Sequence, residues 1–84
     1  MEKKVEATLE AIGAGAEGVM AADAAGLVLS SRGSLDANAA AIGTQLIDLA
    51  LEIDKNPIVC LQSEREKIVF SRDGTITLGV HTKE

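Results

Sequence analysis

Eighty-four residues with a net charge of −5 and no basic run longer than Lys3-Lys4 exclude a reader of nucleic-acid backbones, because such binding needs a basic patch or stripe. One cysteine and one histidine leave no disulfide framework and argue against a metal cluster, and no apolar run reaches the roughly 18–20 residues that cross a bilayer. With Phe70 as the only aromatic, the core of a single domain over residues 1–84 must come from Ile, Leu, Val and Ala, and a chain this small gains stability from pairing with another.

The opening Met1-Glu2-Lys3-Lys4 lacks the apolar region of a secretory signal and a glycine at position 2, and Val80-His81-Thr82-Lys83-Glu84 is not a prenylation box. Any membrane location is therefore expected to come from a partner. Residues 2–12 place Val5, Leu9 and Ile12 on one helical face, and Gly13 and Gly15 end that helix. Gly18-Val19-Met20-Ala21-Ala22 is an apolar run without alternation, the pattern of a strand buried on both faces. A turn at Asp23–Gly26 leads to a return strand over 27–31 and a loop over 32–35.

Residues 36–53 are the stretch around which the chain is organised. Asp36 suits the N-cap, and Ala39, Ile42, Leu46, Leu49, Ala50 and Ile53 make one apolar stripe at helical spacing. Ala40, Thr44, Ile47 and Leu51 make a second stripe beside it, leaving a narrow polar arc of Asn38, Gln45, Asp48 and Glu52. One sheet face cannot cover both. The expectation is that the first stripe faces the sheet and the second faces a partner. Gly43 sits in mid-helix, where it costs about 1 kcal/mol against alanine; close approach of another backbone and tolerated drift both account for it.

Asn56-Pro57 stops the helix. Strands follow at 58–61 and 67–71, with a polar turn over 63–66 and Cys60 expected as a small buried hydrophobe. Asp73-Gly74 is the strongest hairpin signal, read as a type I′ turn, and residues 75–80 alternate so that Ile76, Leu78 and Val80 share a core face. Pro57 at its start suits strand 58–61 to an edge, and an apolar edge invites another chain. The fold class is an α/β two-layer sandwich of order α-β-β-α-β-β-β, with two helices on one face of a five-stranded antiparallel sheet and no C-terminal helix.

Catalytic and cofactor sites find little support. His81 reads as a solvated strand-end residue, no serine sits in a G-x-S-x-G elbow, and Gly13, Gly15 and Gly18 have neither the preceding strand nor the following Lys of a phosphate loop. No enzyme activity, cofactor or metal is expected. The expected interface comprises Ala40, Gly43, Thr44, Ile47 and Leu51 of the helix, with Ile58, Val59, Cys60 and Leu61 of the edge strand.

Asp23-x-x-Gly26-Leu27, Arg32-Gly33-Ser34-Leu35, Pro57-Ile58-Val59-Cys60-Leu61-Gln62-Ser63 and Asp73-Gly74-x-Ile76-Thr77-x-Gly79-Val80-His81 together resemble the hepatitis B X-interacting family, the small roadblock-type subunits of the Ragulator complex. The resemblance covers nearly the whole chain. It implies a roadblock (roadblock/profilin-like) fold that pairs with a second roadblock-type subunit through the second helix and third strand. It further implies an extended lipid-anchored scaffold subunit, Rag GTPases met through the assembly, and a platform for amino-acid signalling to the TOR kinase on the cytosolic face of late endosomes and lysosomes. Homodimerisation in isolation stays open, as do two other readings, a dynein-associated roadblock-type light chain and a small ligand-sensing domain. The Ala- and Gly-rich stretch 11–16 and the short link from Ile53 to Pro57 depart from the family pattern.

Overall fold

The computed structural model describes residues 16–83; the expected helix over 2–12 lies outside them. Strands β1 (Gly18–Ala22) and β2 (Val28–Gly33) form an antiparallel hairpin. Asp23 closes its turn, with Oδ1 accepting from the amides of Ala25 and Leu27 and its carbonyl from Gly26, which takes φ +87°. This is the local bonding that makes Asp a turn residue. The register slips between Ala21 and Ala22, and β2 starts at Val28, leaving Leu27 exposed.

Helix α1 (Ala37–Ala50) begins where expected: Asp36 Oδ1 accepts from the Ala39 amide at 2.9 Å. Leu35 before the cap and Ala40 after it both enter the core, the arrangement of a hydrophobic staple. Strands β3 (Ile58–Gln62), β4 (Glu66–Asp73) and β5 (Ile76–Lys83) complete one antiparallel sheet of order β2-β1-β5-β4-β3. The β4–β5 turn corrects the type I′ expectation. Its central residues are Gly74 and Thr75, only Gly74 has positive φ, and Asp73 belongs to the strand. That sign pattern is type II′.

Pairing fixes which residues share a face. Met20 and Ala22 of β1 join Leu35, Ala40, Ile47 and Phe70 in the core beneath α1. Val19 and Ala21 join Ala16, Ile76, Leu78 and Val80 in a second cluster on the opposite face. The alternation in β5 is present, but Ile76, Leu78 and Val80 are only half-buried and turned away from α1, while the fully buried positions are Thr77 and Gly79 beneath the helix, which corrects the expectation of which face enters the core. With apolar atoms on both of its faces, β1 has no polar position at all.

Candidate interaction surface

Phe70 decides which stripe of α1 faces inward. Its ring is buried between α1 and β5, and a Cβ at Gly43 would fall 2.4 Å from Cε1, while one at Gly79 would fall 2.9 Å from the same atom. Only a residue without a Cβ can sit this close above the ring. Ala40, Gly43, Thr44 and Ile47 accordingly form the inner face of α1. This corrects the sequence expectation: these four are covered by the chain's own sheet, whereas Ile42, Leu49 and Ile53 of the other stripe are exposed, the last two at 62% and 90%. The inner face, with Gly43 and Thr44, is both slimmer and less apolar than the outer stripe of Ile, Leu and Ala. The aromatic ring beneath selects the slimmer one.

Of the exposed stripe, Leu46 lies on the side that packs against the core. On its other flank, α1 meets the β1–β2 turn, where a Cβ at Gly26 would lie 3.5 Å from Ala41 Cα and 3.8 Å from Thr44 Cβ. Helical spacing then carries Leu46 to the far flank, where it packs on the core as do Val59 of β3 and Ile68 of β4, while Ile42 and Leu49 lie nearly opposite the inner face and are exposed. The C-cap Leu51 is marginally exposed.

Strand β3 is the sheet edge on that flank. Val59 and Leu61 pair with Phe70 and Ile68 and share their face with α1, whereas Ile58 and Cys60 lie on the other face. Ile58 is 72% exposed, Leu61 is exposed, Val59 is half-buried and Cys60 is exposed, so the expectation of a buried thiol is corrected. With a single neighbouring strand, β3 offers nothing to shield Cys60 from solvent on its outer side. The large apolar residues left at the surface are thus Ile42 and Leu49 of α1, Ile53 just beyond it and Leu61 of β3, with Leu46 and Val59 half-buried. Large exposed apolar side chains and an open strand edge are both features that favour a partner.

His81 was misread from sequence. Its side chain is only 12% exposed; Nε2 lies 3.2 Å from Glu66 Oε1, and Nδ1 lies 2.5 Å from Ser34 Oγ. A proton on Nε2 donated to the carboxylate leaves Nδ1 to accept from the hydroxyl. The row ties the loop before α1 to β5 and β4. A groove of about 300 Å³ runs beside it, lined by Leu61, Gln62, Ser63, Glu66, Ile68 and His81. Ser34 is not in that lining, so the three side chains do not converge on one cavity and act as a clasp. At the other end of α1, Arg72 donates to Asp48 at 2.9 Å and to Thr77 Oγ1 at 3.1 Å. The contact with Asp48 joins strand to helix across 24 residues and could not be read from the chain, whereas Thr77 is the cross-strand neighbour of Arg72 in the β4–β5 hairpin.

Among the described residues, no group of His, Cys, Asp and Glu could hold a metal ion, and no helix is long and apolar enough to cross a membrane. Comparison with protein families then decides the relationship, since the model for Ragulator complex protein LAMTOR5 matches residues 1–82. The chain belongs to the LAMTOR5 family of Ragulator complex proteins. No curated protein matches it. Among solved structures, Myxococcus xanthus MglB superposes with a TM-score of 0.79 at 18% identity, covering 99% of this chain and 72% of that one. A roadblock/LC7 domain from Streptomyces avermitilis gives 0.69 at 20% identity, with 81% and 66% covered. An MglB described as having a tetrameric arrangement gives 0.79 at 14% identity, with 98% and 72% covered. At these identities the likeness is one of fold, and the fold of this LAMTOR5-family chain is roadblock.

Proposed function

We propose that this LAMTOR5-family chain is a non-catalytic scaffold subunit of a Ragulator-like assembly, pairing with a second roadblock-type subunit through the outer stripe of α1 and the open edge of β3. The observation that carries the reading is the apolar surface formed by Ile42, Leu49, Ile53 and Leu61 beside an edge strand with no charged residue between Ile58 and Gln62. Family membership favours a Ragulator subunit over a dynein-associated light chain.

In this reading β3 supplies backbone hydrogen bonds to a neighbouring strand and the helix stripe supplies apolar burial, at roughly 25 cal/mol per Å². The pair is held by an extended, lipid-anchored subunit at the cytosolic face of late endosomes and lysosomes, where the assembly supports Rag GTPase-dependent activation of TOR signalling. The chain contributes surface, not chemistry.

The test is co-purification of Leu49→Glu and Leu61→Glu variants with a roadblock-type partner subunit, after circular dichroism has confirmed that each variant folds. Truncating or charging a central apolar anchor costs about 2 kcal/mol or more of binding, roughly a thirtyfold weaker Kd. Folded variants that recover the partner at normal stoichiometry would show that another surface makes the contact.

A further inference from the structure

The groove beside the His81 clasp has a chemistry that neither the clasp nor strand pairing uses. It lies on the α1 face of the sheet, where Ile68 pairs with both Leu61 and His81, so that the three share one row. Ser63 N–H donates to the Glu66 carbonyl at 2.9 Å, which sets these two residues opposite each other in the next row, toward the β3–β4 turn. Side chains facing each other on an antiparallel pair stand about 4.5–5.5 Å apart at Cβ. The groove therefore has an apolar floor of Leu61 and Ile68, and at its outer end the Ser63 hydroxyl beside the Glu66 carboxylate.

Glu66 is the one carboxylate of the lining, and no Lys or Arg contributes to it. Its Oε1 takes the proton of His81 Nε2, which leaves Oε2 to a guest, and its side chain is 46% exposed, so a guest reaches it from solvent. Arg65, Lys67 and Lys83 border a neighbouring hollow that shares Glu66. Among the described residues, none of them forms an ion pair with it. The chain as a whole carries −5, a field that draws cations toward it.

At about 300 Å³ the groove stands at the lower limit for a small-molecule pocket, and it has no aromatic wall, since Phe70 is in the core beneath α1. It suits one long side chain with an apolar stem and a cationic head. Such side chains lay the stem on apolar surface and keep the charge at a polar rim. Two acceptors side by side match the planar fork of a guanidinium better than the point charge of an ammonium, and the guanidinium is the more weakly hydrated of the two.

We infer that this groove receives an arginine side chain of a partner polypeptide, its stem on Leu61 and Ile68 and its guanidinium on Glu66 and Ser63. Leu61 also belongs to the apolar surface through which pairing is proposed, so in naming a group that the partner brings, the inference rests on that functional reading. Charge complementarity selects the occupant.

The experiment titrates the isotope-labelled full chain with blocked tripeptides, acetyl-Leu-Xaa-Leu-amide, whose middle residue is arginine, its uncharged isostere citrulline, or lysine, and follows the amide chemical shifts. The arginine peptide is expected to move Leu61, Ser63, Glu66 and Ile68 along one saturable curve. Citrulline should bind on the order of tenfold more weakly, because it loses the charge-assisted hydrogen bond, with lysine in between. Glu66→Gln keeps an oxygen that accepts from His81 Nε2 and removes only the charge; it should erase the advantage of arginine over citrulline. Ser63→Ala, at an exposed turn position, is the second variant and should narrow the gap between arginine and lysine. Equal binding of the arginine and citrulline peptides, an advantage that survives Glu66→Gln, or shifts confined to other residues would overturn the inference.

Capture of a roadblock-type subunit separates this result from the functional reading. If the parent chain and Glu66→Gln capture that subunit equally and no peptide discriminates, the inference falls and the reading stands. If the parent chain captures no such subunit while the arginine peptide still discriminates, the groove holds arginine and the source assigned to it is wrong.

Discussion

Gly43→Ala should destabilise the protein, although the same change in an exposed helix interior would stabilise it. Alanine gains about 1 kcal/mol over glycine in helix propensity. Against this, a Cβ at position 43 would lie 2.4 Å from Phe70 Cε1, 2.5 Å from Cδ1 and 2.9 Å from Cζ, so that one methyl overlaps three ring atoms. The ring cannot withdraw, because it is 2% exposed and rests on Gly79 and Met20 on its other side. Overpacking a tight core costs about 1–3 kcal/mol, and the triple overlap places this site near the upper value. The net loss is then about 2 kcal/mol, equivalent to a fall in Tm on the order of 8–16 °C for a domain of this size. Thermal denaturation by circular dichroism measures it, at one fixed protein concentration because pairing itself raises Tm. Adding Phe70→Leu to Gly43→Ala should cost less than Phe70→Leu alone, since the two positions share one space. A Tm equal to or above that of the parent chain would show that the ring moves aside freely, and the account of why the slim stripe faces inward would be lost.

Ile47→Asp should unfold the chain, since it buries an unpaired carboxylate at a fully buried site; a normal folded spectrum would refute its placement in the core. Thr44 Oγ1 is buried without a hydrogen-bond partner, so Thr44→Val should raise stability by about 1 kcal/mol, and a lower midpoint in urea would mean that the hydroxyl is satisfied after all. Asp36→Ala removes the cap on α1 and should cost about 1 kcal/mol, read in the same titration. His81→Ala opens the clasp between Ser34 and Glu66 and should speed amide exchange at Leu35 and the first turn of α1, with little change at β3; uniform acceleration would point to global destabilisation instead.

Much of the fold was legible because its signals are local. The unbroken apolar run of β1, the cap at Asp36, Pro57 before β3 and the polar turn before β4 each act through neighbouring residues, and each placed an element within a few positions. The two apolar stripes of α1 were legible, but which of them faces the sheet was not. A helical wheel shows that α1 has two apolar stripes, but it cannot show that Phe70, far along the chain, needs a face of Ala, Gly and Thr above it. Cys60 was misjudged for a related reason, since an apolar run reads as buried whether or not its strand has a second neighbour. His81 and Arg72 find their partners through the registers of β5 and β4, which no periodicity encodes. At the β4–β5 turn, a shift of one residue moved the positive φ from a shared Asp-Gly pair to Gly74 alone.

The two edges of this sheet are unlike, and the difference bears on how far assembly can proceed. Where β3 is uncharged and largely apolar, β2 ends in Ser30, Ser31, Arg32 and Gly33, and the irregular step between Ala21 and Ala22 interrupts its ladder. Bulges and charged side chains discourage further strand addition. Joining two such sheets through β3 would leave β2 as the outermost strand at both ends. Growth then stops at a closed pair, as two-fold contacts do, whereas a sheet with two sticky margins would continue into a fibre.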